Sequence, residues 1–163
     1  MYMDDIKVLS FNAKIDSVKD TLSQIDSIKD DGEIIQLLNA DSIVSKNHIV
    51  HGVNHAFLAF SRGENLAKDI SVEIVLRCSA QRQISKAFEI LGLKEGYMNL
   101  YAVLINCKDY SKELSSIFNF HDSIFSFDEK YIMDIYNITA NEISEMSIEE
   151  VIIDRITKLQ VDY

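Results

Sequence analysis

The chain has 163 residues, 47% of them hydrophobic and 26% charged, with a net charge of −10; this is the size and composition of one globular domain, residues 1–163, and its acidity argues against a general nucleic-acid binder. No run approaches the ~18 apolar residues of a membrane span. The start, Met1-Tyr2-Met3-Asp4-Asp5, is acidic where a signal peptide is basic, and the two cysteines, Cys78 and Cys107, make neither a disulfide framework nor a zinc site, so a cytoplasmic protein without metal or cofactor is expected.

In chain order, Ile6, Val8, Leu9 and Phe11 predict a strand. Ile15, Val18, Leu22, Ile25 and Ile28 follow at helical spacing and predict an amphipathic helix that ends at the Asp30-Asp31-Gly32 breaker. Residues 34–44 are apolar and short, and their pattern leaves helix and strand open. A helix is predicted from Asn47 to Ser61, with Gly63 just past its end. Another covers about 66–77, and a third begins at Gln81. In that third helix Ile84, Ala87, Phe88 and Leu91 have the spacing of one buried face, and Gly92 stands at the C-cap position. The continuous run Leu100, Tyr101, Val103, Leu104, Ile105 predicts a central strand, and residues 120–127 a further one. Thr139-x-x-Glu142 and Ser147-x-x-Glu150 match capping boxes. The second opens a terminal helix with Ile148, Val151, Ile152, Ile156 and Leu159 on one side. The chain has no proline, so helix limits are read from caps and glycine. Helices before, between and after a few strands give the α+β class, with helices packed on a small sheet.

Charge is unevenly spread: net −5 over residues 1–44, +3 over 45–108 and −8 over 109–163. An anionic ligand favours the positive middle. That middle contains the polar turn Ser79-Ala80-Gln81-Arg82-Gln83, where hydrogen-bonding side chains meet the free backbone N–H groups of a helix start. Arg82 opposes the helix dipole there, and a residue that breaks a local rule is a candidate for function. On the helix from Asn47 to Ser61, a projection at about 100° per residue groups Ile49, Val50, Val53, Ala56, Phe57 and Phe60 on one side. His48, His51, His55 and Arg62 fall on the other. A solvated polar face fits them, and so does a surface that contacts phosphates and bases. A metal held by His51 and His55 lacks an evident third ligand. No glycine-rich phosphate loop, zinc-ligand cluster, nucleophile elbow or paired-acid motif is present.

The series Ala40-Asp41-Ser42-Ile43, His48-Ile49, His55-Ala56, Phe60 and Gly63, then Glu73-Ile74, Leu76, Ser79, Arg82-Gln83-Ile84, Ala87 and Leu91-Gly92, resembles the smallest core subunit of the KEOPS (EKC) complex. That subunit is the archaeal regulatory protein related to eukaryotic PRPK-binding protein (TPRKB). The resemblance is best over 34–106 and returns in the final helix. It implies an α/β fold with helices around an antiparallel sheet, and a non-catalytic role. A member of the family binds the N-terminal lobe of the atypical kinase/ATPase subunit of KEOPS. Through that kinase it joins the catalytic subunit that makes threonylcarbamoyl-adenosine at position 37 of tRNA. Archaeal members also bind tRNA, by its 3′ CCA end. Carried onto this chain, Ile148, Val151, Ile152, Arg155 and Ile156 are the expected kinase-docking side chains, so that Ile152→Glu disrupts the complex and leaves the subunit folded. His48, His55, Arg62, Arg77, Arg82 and Gln83 are the expected tRNA-facing set. The strong overall acidity departs from what free tRNA binding favours and points to a local patch or to the assembled complex. The rival reading is a small cytosolic enzyme acting on an anionic metabolite at a His/Arg-lined pocket.

Overall fold

The computed structural model describes residues 5–159. Their order is β1 (Ile6–Ile15), α1 (Val18–Ile28), β2 (Ile34–Asn39), a 3₁₀ turn (Ala40–Ser42), α2 (Lys46–Arg62), α3 (Ile70–Ser79), α4 (Ile84–Leu91), β3 (Gly96–Ile105), α5 (Ser111–Ile117), β4 (Asn119–His121), α6 (Glu129–Ile135), a second 3₁₀ turn (Glu142–Ser144) and α7 (Ile148–Lys158). The arrangement is α+β. The described residues fall into two compact units, a sheet unit of residues 5–40 and 92–125 and a helical unit of residues 41–91 and 126–159.

The sheet unit contains an antiparallel sheet in the order β2-β3-β1-β4. β3 is central, as its apolar run requires, and Leu100 to Ile105 are all buried. On one face Phe11, Ala13, Ile15, Leu37, Leu100, Ala102 and Leu104 pack with Ile25 of α1, Leu114 of α5 and Phe118. β1 runs on to Ile15, which the sequence reading gives to the following helix. Phe11, Ala13 and Ile15 alternate as buried residues with exposed Asn12 and Lys14, a strand period. The helix starts only at Ser17, whose side chain accepts from the backbone N–H of Asp20. Segment 34–44 resolves into β2 and the first 3₁₀ turn. The strand expected over 120–127 is shorter, pairing with β1 only at Asn119–His121. Beyond it the Phe125 amide donates to the Tyr101 hydroxyl at 2.9 Å, a side-chain partner in place of a ladder.

In the helical unit α2 has the expected limits. Ser45 caps its start by accepting from the His48 amide, and Gly63, at φ 68°, closes it in the left-handed conformation. α3 begins later than predicted, with Asp69 as its cap. α2 and α3 touch at Gly52. A Cβ there would lie 2.4 Å from Cys78 Sγ and 2.9 Å from its Cα, so the close approach of the two backbones requires glycine. α7 opens with the full Ser147/Glu150 capping box and packs on α2. Its Ile148, Val151, Ile152 and Ile156 are buried, with Leu159 just beyond. Thr139 and Glu142 exchange both bonds of a capping box, yet they open only the second 3₁₀ turn. α4 departs from expectation. Ala87, Ile90 and Leu91 face inward, while Ile84 and Phe88 are 50% and 38% exposed.

Candidate functional site

Two of the six side chains expected to face RNA lie in the interior of the helical unit. His48 is fully buried. The Val44 amide donates to its Nδ1 at 3.2 Å, so the ring proton is on Nε2, which donates to the Cys78 carbonyl at 2.7 Å. The ring thus ties the chain before α2 to the C-terminal end of α3. Burial penalises its charged form and pushes its pKa down to about 4. Arg77 is equally buried. Its Nε donates to Glu73 Oε2 at 2.7 Å and its Nη2 to the Glu64 carbonyl at 3.3 Å. The other oxygen of Glu73 accepts from the amides of Leu66 and Ala67 at 2.8 and 2.7 Å. The ion pair therefore pins the α2–α3 connection, and it explains why α3 starts only at Ile70. Both placements correct the surface role expected for His48 and Arg77: each polar atom named here is spent on an internal bond.

The His48 environment has a measurable consequence. Its unfolded pKa is the ordinary ~6.5, so its contribution to stability is complete above that pH. As pH falls towards the folded value of about 4, the unfolded chain takes up the proton first and stability is lost. His51 is shifted in the same direction by burial. Chemical denaturation at about pH 7.5 and about pH 5 should differ by roughly 2 kcal/mol from His48 alone, with a shallower pH slope in His48→Gln. An unchanged slope in that variant rules His48 out as the source.

The other four residues are at least partly accessible. Arg62, Arg82 and Gln83 are exposed, and His55 is half-buried. They do not form one cluster around His48. Arg62 lies ten residues past Gly52, about 15 Å along the helix axis. Gly52 itself touches Cys78 near the α3 C-terminus, whereas Arg82 and Gln83 sit just past that terminus, in the turn to α4. The contact that the sequence wheel does capture is His51 with His55, ring centroids 4.4 Å apart. His51 Nε2 donates to Thr157 Oγ1 at 2.7 Å, and that hydroxyl donates to the Ile153 carbonyl, which fastens α2 to α7. Among the described residues no three His, Cys, Asp or Glu side chains group as metal ligands.

The expected kinase-docking face of α7 is likewise turned inward. Ile148, Val151, Ile152 and Ile156 belong to the core. Arg155 donates to the carbonyls of Tyr136 and Asn137 and to both carboxylate oxygens of Glu142, the last at 3.0 Å, and so holds the 136–142 turn. The Thr139 amide and then this guanidinium keep the Glu142 carboxyl below its ordinary pKa. Ile84 and Phe88 of α4, one helical turn apart, are instead an exposed apolar pair, alongside Leu58 and Phe127 in the same unit. A signal for it exists in the sequence. Five apolar residues in eight positions, Ile84, Ala87, Phe88, Ile90 and Leu91, are more than a single inward stripe accommodates.

A depression of about 270 Å³ in the same unit is lined by Asp41, Ser126, Phe127, Asp128 and Tyr131. Its lining contains no histidine or arginine, and Asp128 is engaged as the N-cap of α6. It is therefore not the His/Arg-lined pocket of the rival enzymatic reading.

Residues 13–159 match the family model described as kinase binding protein CGI-121. The chain is also similar to the regulatory protein Cgi121 of Methanocaldococcus jannaschii, with 41% identity over 61 residues. That alignment spans 37% of this chain and 39% of the relative.

Proposed function

Because the chain belongs to the CGI-121 family of kinase-binding proteins, we propose that it is a non-catalytic regulatory subunit of the KEOPS complex. It acts as one domain in the cytoplasm. It binds the atypical kinase/ATPase subunit directly and reaches the threonylcarbamoyltransferase subunit through it. It holds tRNA by the 3′ CCA end and so supports threonylcarbamoyl-adenosine formation at position 37. The observation that carries this reading is the family match over most of the chain. The contribution to chemistry is positioning of a substrate. A structural role for His48, bonded on both nitrogens, agrees with that.

The kinase seats on α4, where Ile84 and Phe88 are the apolar side chains left accessible. Exposed Arg62, Arg82 and Gln83 and half-buried His55 are the side chains of the expected set that RNA contacts. Ile84→Asp combined with Phe88→Asp should weaken binding to the kinase subunit at least about tenfold, the size expected for anchor residues, with an unchanged circular dichroism spectrum. Unaltered affinity rejects α4 as the seat. Failure of the unsubstituted protein to co-purify with the kinase, with and without tRNA, rejects the reading itself.

A further inference from the structure

One face of the sheet divides into a buried half and an open half. The register places Ser10 between Tyr101 and His121, Asn12 between Asn99 and Asn119, and Lys14 opposite Tyr97. Directly paired residues share a face, and positions two apart on a strand do so as well. Ser10, Leu38, Tyr101 and Val103 make up the buried half. Asn12, Lys14, Tyr97 and Asn119, all exposed, with half-buried Asn99 and His121 at its inner side, make up the more open half, where Tyr97 is 86% exposed. At about 4.8 Å between strands and about 6.8 Å between like-facing residues, this strip is roughly 10 Å by 14 Å.

Its chemistry is selective. In a chain of net charge −10, none of these six side chains is a carboxylate. The ammonium of Lys14 lies 5.7 Å from the Tyr97 ring centroid. Asn12 Nδ2 donates to Asn99 Oδ1 at 2.7 Å, which locks the two carboxamides together and leaves each with further capacity: an acceptor oxygen on Asn12 and a donor amide on Asn99. At the inner margin the His121 ring is stacked on Phe125, 4.3 Å between centroids and 9° from parallel. An accessible π-face, paired amide donors and acceptors, and one cation are the groups that hold an unstacked nucleotide: its base face, its base edge and its phosphate. An apolar protein surface finds little on this strip to bury.

We propose that this strip seats one or two single-stranded nucleotides, with a base stacked on Tyr97, its edge bonded by the Asn12–Asn99 pair and a phosphate drawn to Lys14. The proposal rests on the RNA-binding part of the reading above and assigns to it a surface in the sheet unit, apart from Arg62, Arg82 and Gln83.

The test is fluorescence anisotropy of two labelled probes, a short single-stranded RNA ending in CCA and full-length tRNA. Each is titrated with the full-length protein, alone and with the kinase subunit. Tyr97→Ala should weaken binding of both probes about tenfold, and Tyr97→Phe should bind nearly as the unsubstituted protein does. Lys14→Ala should also reduce the slope of log affinity against log salt by about 1. If the unsubstituted protein binds and Tyr97→Ala binds equally well, the strip is not the seat, though RNA binding stands. If Tyr97→Ala loses the kinase and keeps RNA, the strip is a protein-docking surface and the proposal fails. If the unsubstituted protein binds neither probe in either state, the RNA reading falls and the strip with it.

Discussion

Arg77→Met should lower folding stability by about 3–5 kcal/mol, because it leaves the Glu73 carboxylate buried without its counter-charge. Both side chains of the pair are 0% exposed, so water cannot replace the guanidinium without opening the unit. The loss would be read as a fall in the urea midpoint. Removing both charges should undo much of the damage. Glu73→Leu with Arg77→Met frees the interior of an unpaired charge, although it also surrenders the bonds that hold the Leu66 and Ala67 amides. A double variant as unstable as Arg77→Met would assign the energy to those backbone bonds. A loss below about 1 kcal/mol in the single variant is what an exposed pair gives, and it would contradict the burial.

Ile152→Glu is expected to unfold the helical unit. The side chain is 0% exposed in the core, and an unpaired carboxylate there belongs to the class of substitutions that cost more than about 4 kcal/mol. Against a total stability of about 5–15 kcal/mol, such a loss leaves little folded protein. Circular dichroism and size-exclusion chromatography should show lost helix and aggregation, and kinase binding should disappear as a by-product. The pair Ile84→Asp and Phe88→Asp should behave oppositely, staying folded while binding fails. A folded, monodisperse Ile152→Glu protein that no longer binds the kinase would return the docking role to α7.

The contrast between α7 and α4 marks where sequence reading stops. The stripe Ile148, Val151, Ile152, Ile156 is legible as apolar and helical, and the fold buries it as one side. A core and an interface both ask for such a stripe, so periodicity alone does not say which of them covers it. α2 has the same character: its caps at Ser45 and Gly63 are visible as letters, but the wheel sets His48 opposite the apolar residues. That ring is in the first turn, where covering segments from outside the helix decide burial, and Val44, Cys78 and Tyr136 close around it. Arg77, four residues after Glu73, has the spacing of an exposed ion pair. The counter-signal was present, since Ile70, Ile74, Val75, Leu76 and Cys78 leave α3 apolar nearly all round, the mark of a buried helix. The central position of β3 follows from its unbroken apolar run. By contrast, the strip on the open sheet face joins Asn12 and Lys14 to Tyr97 and Asn99 across more than eighty residues of chain, and only the strand register brings them together.

The closeness of α2 and α3 at Gly52 also gives the molecule a built-in chemical clock. Cys78 lies under that glycine, and burial pushes its thiol up to about 12. Cys107 shares its hydrogen with the Ile34 carbonyl at 3.1 Å and is raised as well, by partial burial. The thiolate attacks an alkylating reagent, so buried Cys78 reacts at an appreciable rate only when its surroundings open, whereas half-buried Cys107 is reached more readily. One thiol belongs to the helical unit and the other to the sheet unit. Pulsed alkylation of Cys78 read by peptide mass spectrometry therefore times the opening of the helical unit, with Cys107 as an internal reference in the unmodified chain.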